Sequence, residues 1–343
     1  MLSRVANGLY WMSRYIERAE NTTRLVDVNL QLLLNFRSLN DDTLEGHWMP
    51  IVQSTGDEEI FAELYPNASG ENVSEFFVFQ EKNPNSIVSC IMLARENART
   101  VRDQISVEFW TELNRIYLFV RSKKATKLWQ VSPNDFFLEV RNSSLLLQGL
   151  ADATIMRNEG WLFMHLGRNL ERADKTSRML DIRQAATARD VSPRLRNQED
   201  ALGWSAMLRS CSAWDAYKAL HGSDVQPVYV AQFLLLNEDF PRSARFCIDQ
   251  VTRALRRISN VREGNFTNNV ERLAGLLHSE LQYCDPKEIF EIGLHAYIDQ
   301  LQTKLNDISS ELVQIYILQS FELEEDVQES EPTPEPQMEQ QQQ

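Results

Sequence analysis

Arg14-Tyr-Ile-Glu17-Arg18-Ala19-Glu20-Asn-Thr22-Thr-Arg24-Leu-Val-Asp27-Val28 returns 154 residues later as Arg168-Asn-Leu-Glu171-Arg172-Ala173-Asp174-Lys-Thr176-Ser-Arg178-Met-Leu-Asp181-Ile182. Seven of the fifteen positions are identical, and most of the others exchange like for like (Ile/Leu, Glu/Asp, Thr/Ser, Leu/Met, Val/Ile). A recurrence of this length reads as a tandem duplication, and internal repetition decides which folds are worth considering.

Working outward, the same spacing keeps returning. Trp48 meets Trp204 at an offset of 156, as do Phe61 and Leu64 with Tyr217 and Leu220. At 157 residues, Phe76 and Phe77 match Phe233 and Leu234, and Pro84-x-Ser86-x-x-x-Cys90-Ile91 matches Pro241-x-Ser243-x-x-x-Cys247-Ile248. The offset drifts by only three residues from end to end, so the two units align with few insertions. The expected organisation is a first unit over 1–157, a second over 158–321 and a tail over 322–343.

The pattern inside each unit is helical. Leu9, Met12, Ile16, Ala19, Thr23, Val26, Leu30 and Leu33 step by threes and fours, the seam of an amphipathic helix, here expected from about Ser3 to Arg37. Leu25 and Val28 lie off that seam, which predicts cover on more than one face. Asn40-Asp-Asp-Thr predicts a break. Helices are also predicted from Asp57 through Leu64, from Asn83-Pro84 with proline at the first helical position, over Val107 to Phe119, from Ser132-Pro133, and from Asp285-Pro286 to about Phe321. Arg121 to Lys127 reads as a basic link. No stretch alternates long enough to build a sheet, and no glycine-rich phosphate loop is present. The expected fold is all-α, a tandem-duplicated helical bundle with its halves related by a pseudo-twofold axis.

The chain carries a formal charge of −14, but eight carboxylates and no Lys or Arg stand from Glu322 onward, leaving the body at about −6. That balance excludes a general nucleic-acid binder, which needs a basic footprint. The acidic, glutamine-rich tail is too poor in apolar residues to order itself. No apolar run reaches the 18 residues of a spanning helix, and the opening residues lack a signal-peptide core, so a cytoplasmic protein off the membrane is expected. Cys90, Cys211, Cys247 and Cys284 are scattered without C-x-x-C spacing and read as reduced core thiols.

The paired Glu-Arg helices, the Pro-x-Ser-x-x-x-Cys segment between them and the opening Met1-Leu-Ser-Arg4-Val-Ala-Asn-Gly-Leu-Tyr-Trp11-Met-Ser-Arg14-Tyr-Ile-Glu17-Arg18 resemble the alpha-E domain family of bacterial all-helical proteins, over residues 1 to about 320. The resemblance implies work beside circularly permuted ATP-grasp ligases and transglutaminase-like proteins, within a peptide- or amide-bond-forming and trimming system. It leaves the chain's own chemistry open. The tail does not belong to that pattern.

The charges of the two motifs are the main functional candidates. Arg14 and Arg18, like Arg168 and Arg172, are like charges four apart, a spacing that costs roughly 0.2–0.5 kcal/mol in an isolated helix, so something nearby must offset it. Glu20 with Arg24 and Asp174 with Arg178 are favourably ordered pairs. One reading is a closed ion lattice in which Glu17 meets Arg172 and Glu171 meets Arg18. The other is a cleft in which Arg14, Glu17, Arg18, Arg24, Arg168, Glu171, Arg172 and Arg178 bind an anionic or peptide-like ligand. Ser86 and Ser243, after each proline, read as first-turn residues satisfying backbone N–H groups, with anion docking there as the sharper alternative. Arg95, Arg99 and Arg102 form a basic stripe.

A bundle-type metal centre wants Glu-x-x-His pairs, and none occurs. Glu291 with His295, and His165 ahead of Glu171, read as ordinary polar neighbours. No metal and no cofactor are expected, and no catalytic motif is found. The leading expectation is an accessory, ligand- or partner-binding helical protein. The alternatives are an amide-handling enzyme using Glu17 and Glu171 in a shared cleft, which would need raised carboxyl pKa values, and a purely structural interaction scaffold.

Overall fold

The computed structural model of the chain describes residues 3–35, 48–187 and 193–318. The expected break at residues 40–43 and the tail over 322–343 lie outside the described residues. Every regular element among the described residues is helical. They are α1 (Ser3–Asn35), a stretch over 48–53, α2 (Glu58–Leu64), α3 (Gly70–Val78), α4 (Ile87–Thr100), α5 (Val107–Val120), α6 (Lys123–Val131) and α7 (Pro133–Thr154). There follow α8 (Glu159–Thr187), α9 (Pro193–Ser210), α10 (Trp214–His221), α11 (Pro227–Leu236), α12 (Ala244–Ser259), α13 (Asn269–Tyr283), α14 (Pro286–Ile292) and α15 (Leu294–Val313), closed by a π turn at Gln314–Leu318. None of these helices is long and apolar enough to cross a membrane.

The two Glu-Arg motifs sit mid-way along α1 and α8, which pack on each other at the centre of the molecule. Side-chain contacts between the motifs stay 153–157 residues apart in number, so the helices run side by side in the same direction. Around this pair, α4 and α7 cover α1, while α12 and α15 cover α8. The seam residues Leu9, Met12, Ile16, Ala19, Thr23 and Val26 are all buried, and so is Leu25 off the seam. Cover on several faces explains why Glu17, Glu20, Asn21 and Asp27 are buried too. Trp48 and Trp204 are among the largest fully buried side chains. Leu220 departs from its expected partner Leu64: it is exposed, whereas Leu64 packs on the core.

On one flank the two helices nearly touch through their backbones. A Cβ added at Gly167 would lie 2.3 Å from the carbonyl oxygen of Tyr10, so only glycine permits this approach. Tyr10 is itself fully buried and cannot step aside cheaply. Gly167→Ala is therefore expected to destabilise by about 1–3 kcal/mol, as overpacking does. In urea the midpoint should fall with an unchanged slope; an unchanged midpoint would contradict the close approach.

Three boundaries differ from expectation, each for a local reason. Pro84 precedes the helix instead of starting it: Ser86 is the cap and Ile87 the first helical residue. The basic link is largely helical, because the Ser122 side chain accepts from Ala125 N and starts α6. The final helix is two helices. Asp285 caps Pro286 as expected, but Gly293, at φ +95, ends α14 and lets α15 set off anew.

Candidate functional site

Glu171 has no solvent exposure, and its carboxylate is clasped from α1. Arg14 Nε donates to Oε2 at 2.7 Å, Arg18 Nε to Oε1 at 2.6 Å and Arg18 Nη2 to Oε2 at 2.9 Å, with Lys175 Nζ at 3.8 Å. Glu17, 1% exposed, is held in the opposite sense. Arg172 donates from Nε at 3.0 Å and from Nη2 at 2.8 Å, and Arg242 Nη1 donates at 2.8 Å. Both cross-helix pairs of the lattice reading are thus present. The like-charged Arg14 and Arg18 are tolerated because one carboxylate lies between them.

The electrostatics follow from this geometry. Burial pushes the Glu17 carboxyl up, but Arg172 and Arg242 outweigh it and hold the pKa down at about 2. Glu171 is likewise held well below its ordinary value: burial opposes ionisation, and Arg18 and Arg14 more than offset it. Both groups stay ionised through the physiological range. A general acid or base poised near neutrality needs the opposite shift.

The lattice is anchored to the segments that carry Pro-x-Ser. Thr22 Oγ1 donates to the Asn85 carbonyl at 3.4 Å, and Thr176 Oγ1 to the Arg242 carbonyl at 2.9 Å, which accounts for a threonine at both motif positions. Ser86 accepts from Ser89 N at 3.2 Å and Ser243 from Phe246 N at 3.0 Å, each as the N-cap of its helix rather than a first-turn residue. Both serines are fully buried. The Cys90 and Cys247 thiols point at the Pro84 and Pro241 carbonyls, and burial pushes both pKa values up to about 12, leaving unreactive neutral thiols.

The residue between proline and serine breaks the likeness. Asn85 accepts from Arg18 Nη1 at 3.0 Å and donates to Asp57 at 2.8 Å. The matching Arg242 instead drives a cation into the lattice, donating to Glu17, to Asn21 Oδ1 at 3.0 Å and to Glu20 Oε1 at 2.6 Å. Gln148 of α7 completes that side by donating to Glu17 at 3.2 Å and Glu20 at 2.9 Å.

Beside Glu17, α1, α5, α7 and α8 border a small open cleft of about 30 Å³. Its walls include Ile16, Phe109, Leu147 and Met164, with Asp152, His165 and Arg168 as the polar part. Trp161 stacks on His165 at 4.6 Å between ring centres. Burial, then the neighbouring Arg168, lowers the His165 pKa to about 4. The ring is therefore neutral, with Nδ1 accepting from Arg168 Nη2 at 2.7 Å and Nε2–H donating to Gln250 Oε1 at 3.2 Å.

The sequence matches the model of Alpha-E, described as a predicted alpha-helical domain with a conserved ER motif, over residues 1–317. The chain belongs to the Alpha-E family. It is also 23% identical over 317 residues to uncharacterized proteins of Mycobacterium bovis and Mycobacterium tuberculosis, an alignment covering 87% of this chain and 34% of theirs. The chain thus spans about a third of the length of these curated relatives. No solved structure matches.

In this Alpha-E chain the ten candidate positions do not converge on one cleft. Arg14, Arg18, Glu171 and Arg172 are spent in the lattice, and only Glu17 and Arg168 also border the cavity. Arg24 pairs with Glu20 at 2.8 Å, and Arg178 with Asp174 at 2.9 Å and the Ser54 carbonyl at 3.0 Å. Ser86 and Ser243 are caps. The basic stripe is split: Arg95 lies over Tyr117 at 4.6 Å and Arg102 over Trp110 at 5.4 Å, while Arg99 stays exposed and pairs with Glu96 at 3.0 Å. His295 pairs with Asp181 at 2.6 Å and Asp299 at 3.5 Å. Among the described residues these three form the one His/acid group close enough to hold a metal, and all of it is at or near the surface. Arg242 and Gln148 escape the sequence reading; the first shows there as one of two charged exchanges inside the Pro84–Ile91 match, Asn85 to Arg242 and Val88 to Arg245.

Proposed function

We propose that this Alpha-E chain is an accessory, non-catalytic helical protein of a cytoplasmic peptide- or amide-bond-forming system, working with an ATP-grasp-type ligase and a transglutaminase-like protein. The observation that carries the non-catalytic part is the state of Glu17 and Glu171: buried, ionised and each saturated by two arginines. In this reading residues 1–157 and 158–321 are two copies of one duplicated unit. The Glu-Arg motif is the lock that fixes their register, and the outer helices present the partner surface. The family resemblance supports the choice of partners. The relatives' much greater length supports a domain that acts alongside others.

The test is reconstitution of the full chain with an ATP-grasp ligase encoded beside it, following ATP-dependent amide formation. A rate or product that depends on the chain is expected. Loss of that dependence would sink the accessory reading. Amide turnover by the chain alone, abolished by Glu17→Gln in a folded variant, would restore the enzyme alternative.

A further inference from the structure

We propose that the acidic segment 321–326 of this chain docks in the open groove between α12, α13 and the loop that joins them, with its carboxylates on Arg256 and Arg272 and with Phe321 and Leu323 on Phe266 and Leu276. This goes beyond the partner-binding reading and does not depend on it.

The groove exists because one long side chain is missing. Arg95 of α4 and Thr252 of α12 both stand nine residues after the serine that caps their helix. The Arg95 guanidinium fills the space between α4 and α5, lying over Tyr117 at 4.6 Å and Trp110 at 5.6 Å and donating to Asn114 Oδ1 at 3.0 Å. Thr252 is too short to do the same, and its hydroxyl turns back to the Ile248 carbonyl at 2.8 Å. On the facing helix, a Cβ added at Gly275 would meet nothing within 4 Å, and Gly264 in the loop is equally open. What remains is a hollow of about 250 Å³.

Its rim offers two chemistries. Phe266 and Leu276 are large apolar side chains, 58% and 57% exposed. The cations beside them are loosely held. Arg256 meets Glu263 at 3.4 Å, an acid that is itself 85% exposed, and Arg272 donates from Nε and Nη2 to the neutral Asn269 Oδ1. Both guanidinium groups have further N–H donors that meet no acceptor among the described residues. The buried acid of the groove does not compete for them. Glu271 accepts from Thr267 N at 2.7 Å, Asn268 Nδ2 at 3.0 Å and Tyr316 Oη at 3.3 Å. A segment that mixes apolar and acidic side chains therefore complements this rim.

The chain supplies such a segment within reach. The Tyr316 hydroxyl bonds both Asn268 and Glu271, so the last turn after α15 lies against the end of α13 where the groove begins. Extended, the eight residues that follow Leu318 span about 27 Å, whereas Glu271 to Ser279 covers about 12 Å of helix. Residues 321–326 read Phe-Glu-Leu-Glu-Glu-Asp, and no Lys or Arg follows them. A tether this short gives an effective concentration in the millimolar range, so exposed ion pairs that are weak singly are enough to hold the segment.

The experiment places a nitroxide on Val327→Cys in the full chain, with Cys284→Ser removing the one thiol that is not buried, and reads the broadening of backbone amides by nitrogen-15 NMR. Broadening concentrated at Gly264, Phe266, Gly275 and Ser279 is expected, and about 1 M sodium chloride should weaken it by screening the pairs. Glu324→Gln combined with Glu325→Gln and Asp326→Asn leaves the helical body untouched and should return the broadening to background. Arg256→Gln with Arg272→Gln should do the same. Broadening spread evenly over the surface, or groove broadening that survives the three tail substitutions, would overturn the proposal. So would groove broadening when spin-labelled chain without nitrogen-15 is mixed with nitrogen-15 chain without the nitroxide, because the docked segment would then belong to a second copy. None of these results bears on whether the ligase needs the chain.

Discussion

The Glu171→Ala chain is expected to unfold with about 3–5 kcal/mol less free energy than the parent, the usual cost of breaking a buried pair from one side. The alanine leaves Arg14 and Arg18 one helical turn apart with Lys175 nearby, side chains that are only 11–16% exposed. The size of the effect comes from stranded cations and not from the worth of the pair when intact. Two large terms nearly cancel in the parent: burial opposes all three charges, and the short contacts offset that opposition. A second variant separates these contributions. Glu171→Leu combined with Arg14→Met and Arg18→Met removes the three closely paired charges, leaves Lys175 to Asp174 at 3.4 Å, and should recover most of the loss, because apolar replacement of a buried ion cluster is often neutral or better. Urea denaturation of the three proteins checks both parts. A small loss in Glu171→Ala would mean that water or another carboxylate reaches the arginines.

Acid is expected to unlock the same contact. A carboxylate whose folded pKa is depressed adds stability that is fully present above its unfolded value and is lost as pH falls through its folded value. For Glu17 the window runs from the ordinary 4.5 down to about 2. At 1.36 kcal/mol per pKa unit, roughly 3 kcal/mol of stability disappears across it. Glu171 contributes in the same direction. Asp174, held below its ordinary value by Lys175 and Arg178 against the effect of burial, adds a further share. His165 adds to the loss earlier: the unfolded imidazole charges from its ordinary 6.5, while burial and Arg168 keep the folded one neutral down to about 4, so stability drains away across that window as pH falls. Stability measured by denaturant at a series of pH values should therefore begin to decline below about pH 6.5 and fall steeply below about pH 5. A stability that holds level through this window would contradict the buried lattice.

The core of this site could be read in advance because its two sides carry the same residues at one offset. Glu17 opposite Arg172 and Glu171 opposite Arg18 follow once two like helices lie side by side. The charges looked like a free face only while α1 was treated alone; α4, α7 and α8 cover it, which one amphipathic seam does not reveal. Arg242 was hidden for a different reason. It comes from a loop, and its counterpart Asn85 has other chemistry, so matching residues with matching residues passes over it. The cleft was illegible because its walls come from four helices, and Phe109 and Leu147 carry no mark distinguishing them from core residues. Helix ends failed where one residue decides. Gly293 outweighed the apolar rhythm on either side, and Ser122 started a helix in a stretch whose lysines and arginine suggested a link.

Electrostatics ties these findings together: the motif's arginines are counter-ions to acids, with Glu171 and Glu17 serving Arg14, Arg18 and Arg172, Glu20 serving Arg24, Asp174 serving Arg178 and Asp152 serving Arg168. The measurement that bears on this most directly is a carbon-13 NMR titration of the glutamate side-chain carboxyls, with Glu17 and Glu171 assigned by single Glu→Gln substitutions. Neither carboxyl resonance should move between pH 7 and the onset of acid unfolding, because both groups remain ionised while the chain is folded. A midpoint above 4.5 for either one in the folded protein would show a carboxyl that its arginines do not hold, and would return Glu17 or Glu171 to the role of an acid or base.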